Sequence, residues 1–103
     1  MMTPTGSPTL LLTGARKIVA AVVPDIRASW LAQVDSPGKR VYADLRDVVM
    51  IDSCGLGLLV EMLTMLKRQG REFAIVAPSQ HVQTVLSVTR LDKAFAIVDA
   101  IHA

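Results

Sequence analysis

The run Ile51-Asp52-Ser53-Cys54-Gly55-Leu56-Gly57-Leu58-Leu59 holds the residues best placed to do chemistry. Apolar strand residues stop there at a carboxylate, a hydroxyl, a thiol and a glycine, and an apolar helix begins at once. Backbone N–H groups at a helix start have no intrahelical acceptor and carry partial positive charge. A hydroxyl at that end can take on a phosphate without an electrostatic penalty from the helix. Ser53 is therefore the candidate switch residue, although an N-cap role of about 1 kcal/mol is open to it as well. Asp52 beside it can cap the helix and hold the turn, or bind a cation during phosphoryl transfer. Gly55 and Gly57 cost up to about 1 kcal/mol each in a helix relative to alanine. Tight packing of the loop on the sheet, or close approach of another chain, would justify them.

Other chemistries find less support in the same run. Cys54 at a helix start could have nucleophilic character, but neither His81 nor His102 lies near it in sequence to act as a base. Gly55-Leu56-Gly57 lacks the Gly-Lys-Ser/Thr ending of a phosphate-binding loop. No His/Cys/Asp group has zinc spacing. His81 reads as a solvent-side helix residue.

The elements that must position Ser53 follow from pattern. The spacing predicts a helix from Ser53 to Gln69, with Lys67 and Arg68 in its last turn and Gly70 just beyond it. At 100° per residue, Leu56, Leu59, Val60, Leu63 and Leu66 form a core stripe, and Gly57, Glu61, Thr64 and Arg68 a polar one. Leu58, Met62 and Met65 form a third, apolar stripe. It fits either contact with a neighbouring helix or a partner-docking surface, since exposed methionine suits contacts that form and dissolve.

Upstream, Thr9 to Thr13 reads as a short strand ended by Gly14, and Arg16 to Val23 suits strand or helix. Pro24 and Asp25 open a helix over Val23 to Val34, which Asp35-Ser36-Pro37-Gly38 stops. Lys39 to Leu45 is a strand, and Val48 to Ile51 and Phe73 to Val76 read as central strands buried on both faces. Pro78 and Ser79 introduce a helix with Val82, Val85, Leu86 and Val88 on its apolar side. A last strand runs over Phe95 to Val98. Alternating strands and helices imply an α/β fold, with four or five mostly parallel (mixed) strands and helices mainly on one face.

A chain of 103 residues suits a single core, here expected over residues 9–103 behind a flexible tail of residues 1–8. Net charge is only +2 and there are four aromatic residues, so neither the electrostatic footprint nor the stacking platform of nucleic-acid binding is present. No apolar run approaches the roughly 20 residues of a membrane span. Met1 to Pro8 lacks the basic start of a signal peptide, and Cys54 is the only cysteine; a cytoplasmic location is expected.

The pattern Asp44-Leu45-x-x-Val48-x-x-Ile51-Asp52-Ser53-x-Gly55-Leu56-Gly57-x-Leu59, with Gly70 and the Phe73 strand, resembles the signature of STAS domains. Within that family it is most similar to the bacterial anti-sigma factor antagonists. The resemblance implies a regulatory binding module that is not an enzyme and needs no cofactor. It implies that Ser53 accepts phosphate from an anti-sigma factor with serine kinase activity, which binds the unmodified form. A phosphatase acting on phospho-Ser53 would reset the system. Partner contacts would then involve Asp52, Ser53, Cys54, Gly55, Gly57, Leu58, Met62 and Met65, with weak homodimerisation compatible. The chain departs from the antagonists at Cys54, where Ser or Thr is common. Another branch of the family, the small cytoplasmic subunit of phospholipid-trafficking ABC transporters, shares the core pattern but typically has Thr at the acceptor position.

Overall fold

In the computed structural model, residues 9–13, 15–35 and 40–99 are described. The expected tail over residues 1–8, the Gly14 stop and the Ser36-Pro37-Gly38 breaker lie outside them. Four parallel strands make the main sheet: β1 (Thr9–Thr13), β3 (Arg40–Asp44), β5 (Glu72–Val76) and β6 (Ala96–Val98), in the spatial order β1-β3-β5-β6. The remaining strands, β2 (Lys17–Ile18) and β4 (Met50–Ile51), pair with each other in a separate parallel ribbon.

Burial follows from these places. β5 lies between β3 and β6, and Phe73, Ala74, Ile75 and Val76 are all buried, as their unbroken apolar run predicts. β3 alternates instead, with Val41 and Ala43 inside and Tyr42 and Asp44 half-buried. The expectation of a second central strand over Val48 to Ile51 fails. β3 already has β1 and β5 as neighbours, so this run has no place in the main sheet and pairs only with β2. Val48 and Ile51 point into the core, while Val49 and Met50 are 47% and 48% exposed.

Helix α1 (Val23–Val34) has Pro24 in its first turn and buries Trp30 and Val34. The Trp30 indole N–H donates to the Thr13 carbonyl at 3.3 Å, tying α1 to the end of β1. α2 (Ser53–Arg68) packs on β5 and against α1. A doubly hydrogen-bonded glycine cap closes it: Gly70, at φ +72°, donates to Lys67 O, and Arg71 N–H donates to Leu66 O. Bidentate bonds from Arg27 to Glu61 join α1 to α2 on the surface. They hold the Glu61 carboxyl below its ordinary pKa and raise that of Arg27. α3 (Gln80–Val88) buries Val82 and Leu86, is capped by Ser79, and packs against β4 and the 3₁₀ turn Leu91–Lys93. Val88, expected on its apolar side, is instead exposed.

The faces of α2 also differ from the expected stripes. Leu58 and Met62 are fully buried beside Leu59 and Leu66, and Val60, expected inside, is exposed. Leu56, Leu63 and Met65 are half-buried against the core. The helix lies on β5 with α1 and β4 also in contact, so its buried arc is wider than one stripe and is rotated from the expected centre. Leu58 and Met62 thus belong to internal packing and cannot form an open docking surface.

Candidate functional site

The site begins where β4 hands over to α2. Asp52 has an extended backbone (φ −108°, ψ −173°) and is the N-cap of α2, its Oδ1 accepting from Gly55 N–H at 3.0 Å. Its second oxygen, Oδ2, accepts from Ala20 N–H at 2.9 Å, in the turn between β2 and α1. One carboxylate therefore caps the helix and laces it to a segment 32 residues earlier. Its charged form is stabilised first by the Gly55 amide and then by the Ala20 amide, which holds its pKa below the ordinary carboxylate value.

This assigns the roles of the two neighbours. Asp52 does the capping, and Ser53, the first helical residue, is exposed. Among the described residues nothing hydrogen-bonds the Ser53 side chain. No acidic residue follows Asp52 in the first turn of α2, and the Asp52 carboxylate, accepting from the Gly55 amide, offsets part of the positive potential there. A dianion added at Ser53 would meet favourable helix charge and an unfavourable neighbour in Asp52.

Close packing accounts for one glycine and not for the other. A Cβ on Gly55 would lie 2.1 Å from the Ile18 carbonyl oxygen and 2.7 Å from Ile51 Cγ1, so the α2 start rests directly on β2. Gly57 is exposed, and a Cβ there would meet nothing within 4 Å. Cys54 is a free, exposed thiol. Of the apolar trio proposed for docking, Met65 alone reaches a surface depression, which it lines with Glu61, Thr64, Arg68 and Gln69. Among the described residues no group of His, Cys, Asp and Glu is placed to hold a metal ion, and no helix is long and apolar enough to cross a membrane.

Two contacts escaped the sequence reading. His81 is half-buried, and its Nε2 accepts from the Ile51 amide at 3.2 Å. Ser79 was expected only to introduce a helix; it caps α3, and its hydroxyl also donates to Val48 O at 2.6 Å. Exposed Val49 and Met50, just before Asp52, were likewise expected inside. Sequence spacing reports period and not the contacts that α3 makes across the chain.

Comparison with known proteins places this geometry. A protein from Thermotoga maritima described as a candidate anti-sigma factor antagonist is 40% identical over 62 residues, 60% of this chain and 55% of that protein. The match thus spans little more than half the length of that relative. The crystal structure of a Thermotoga maritima protein of the same description superposes with a TM-score of 0.78 at 26% identity, covering 92% of this chain and 86% of the other. A sulfate transporter family protein from Wolinella succinogenes superposes at 0.76 with 18% identity, over 90% of this chain and 78% of the other, a likeness of fold alone. The profile of the STAS domain matches residues 1–103. With its parallel sheet, its Asp52-Ser53 helix start and this match over the full sequence, the chain belongs to the STAS domain family.

Proposed function

We propose that this chain is an anti-sigma factor antagonist, a cytoplasmic binding module switched by phosphorylation of Ser53. The observation that carries the reading is the exposed Ser53 hydroxyl at the start of α2, which no described residue hydrogen-bonds while Asp52 caps the helix. The partner is an anti-sigma factor with serine kinase activity. In the transfer, the bond from the ATP γ-phosphorus to ADP breaks as the Ser53 Oγ–P bond forms, and the hydroxyl proton passes to a base on the kinase. A phosphatase hydrolyses the ester and restores the hydroxyl.

The unmodified surface binds through Ser53, Cys54 and Gly57, with Asp52 and Gly55 holding its shape. Gly57 leaves an open place for the partner's approach. Exposed Val49 and Met50 supply the adjoining apolar contact in place of buried Leu58 and Met62, and Met65 lies at the margin. Phosphorylation adds about −1.5 to −2 charge, which a partner surface fitted to a neutral hydroxyl must desolvate beside Asp52. A loss of about 3 kcal/mol in binding is already more than a hundredfold in affinity. No refolding is needed.

Incubation with the cognate kinase and ATP is expected to place one phosphate on Ser53, read by mass spectrometry, and Ser53→Ala to abolish it. Ser53→Asp should weaken partner binding about a hundredfold with little change in thermal midpoint. Phosphate on another residue, or on none, removes the mechanism. Capture of a transporter ATPase in place of the kinase would select the transporter branch of the family.

A further inference from the structure

Successive amides along a strand point to opposite sides, and β4 has a strand neighbour on only one of them. Before the strand, Val49 N–H donates to Arg16 O at 2.7 Å; from there Met50 and Asp52 direct their N–H groups to the β2 side, donating to Arg16 O, just before β2, and to Ile18 O at 3.4 and 3.3 Å. Ile51, between them, directs its N–H away from β2. In a part-buried place an unmatched amide is costly, and among the described residues no backbone acceptor is offered to it there. The acceptor is the Nε2 lone pair of His81, at 3.2 Å. Three residues earlier, just before β4, the Val48 carbonyl receives the Ser79 hydroxyl at 2.6 Å. Ser79 is itself fixed, its amide donating to Leu45 O and its Oγ accepting from Val82 N–H at 3.2 Å each. The start of α3 thus holds the segment leading into β4 at the Val48 carbonyl and β4 itself at the Ile51 amide, on the side where β4 has no neighbouring strand.

We propose that His81 is a positioning residue for the Ser53 hydroxyl. Its Nε2 fixes the Ile51 amide, two residues before Ser53, and so sets where the strand ends and which way the first helical residue points. The bond requires an imidazole with its proton on Nδ1 and a free lone pair on Nε2. Ser79 supports the segment leading into that strand. The need for a fixed hydroxyl rests on the phospho-switch proposed above, because in-line transfer depends steeply on the placement of the attacking oxygen.

The test compares wild type with His81→Phe, which keeps a flat ring without an acceptor, and His81→Gln, whose amide oxygen can replace Nε2. Two kinds of readout are taken: hydrogen exchange at the Ile51 amide and the chemical shift of the Ser53 amide, both by NMR, and kcat and KM for phosphoryl transfer from ATP by the serine kinase that labels the wild-type chain. His81→Phe is expected to speed Ile51 exchange about tenfold and to lower kcat by a similar factor with little change in KM. His81→Gln should restore both. Unchanged exchange in His81→Phe, or a His81→Gln variant no better than it, overturns the proposal. So does unchanged kcat in a variant whose Ile51 amide has loosened. Should His81→Phe not fold, His81→Ala with free imidazole in the buffer makes the same comparison, and absence of rescue by imidazole counts against the proposal. If wild type takes no phosphate on Ser53, the switch falls by itself. Ile51 exchange and the Ser53 amide shift then still decide whether His81 sets the turn.

Discussion

The main sheet and the β2–β4 ribbon are both parallel, yet they are held by different forces. β3 and β5 are flanked by strands on both sides and line a continuous core of Val41, Ala43, Phe73 and Ile75. Loss of one contact there leaves many others. The ribbon has strands of two residues, seats only Ile18 and Ile51 in the core, exposes Met50 with Val49 just before it, and is held in addition by a few directional bonds from Asp52, Ser79 and His81. Burial makes the sheet stable without fixing any one atom, whereas hydrogen bonds place a single hydroxyl closely at small net stabilisation. The candidate switch sits on the region of the second kind.

Substitutions break or sharpen that contrast. On the sheet side, Met62→Ala should cost about 2–5 kcal/mol in denaturant unfolding, as truncation of a fully buried side chain does. A neutral result would return Met62 to the surface. At the junction, Gly55→Ala should destabilise by about 1–3 kcal/mol, because the new Cβ runs into the Ile18 carbonyl. Retention of full stability would mean that α2 is not seated on β2 as described.

On the ribbon side, Asp52→Asn should lower the thermal midpoint at neutral pH. The folded-state pKa of Asp52 is depressed by the Gly55 and Ala20 amides. Its contribution is therefore complete above the unfolded value of about 4 and is lost as pH falls through the lower folded one. Wild type should lose stability over that acid range, and Asp52→Asn should lose less. Glu61 contributes in the same direction through Arg27 and is common to both proteins. Parallel acid profiles would show that Asp52 does not lace the turn. Gly57→Ala, the smallest effect, should stabilise by about 0.5–1 kcal/mol, since its place is open and alanine favours a helix. The same change should weaken partner binding; undiminished binding would move the partner off this face.

Most elements were legible because their signals are local. Pro24 and Asp25 mark the start of α1, and the Asp52-Ser53 step and Gly70 bracket α2. The identity of the cap was not legible, since both Asp52 and Ser53 have suitable oxygens, and the choice depends on Ala20 lying within reach of the carboxylate. Leu58 and Met62 were misread because helical period separates faces without telling how many are covered. Val48 to Ile51 was misread for the related reason that an apolar run does not state how many neighbours its strand will have.

The order of strands and helices, the helix start at Asp52-Ser53 and the presence of a hydroxyl there were determined by the amino-acid sequence, through propensities and caps that act over a few residues. Only the tertiary structure decided that Asp52 is bound while no described residue hydrogen-bonds the Ser53 side chain, that Met50 is outside and Met62 inside, and that His81 Nε2 accepts from the Ile51 amide. Those outcomes depend on which segments meet across 30 or so residues, and long-range packing, not local preference, sets such meetings.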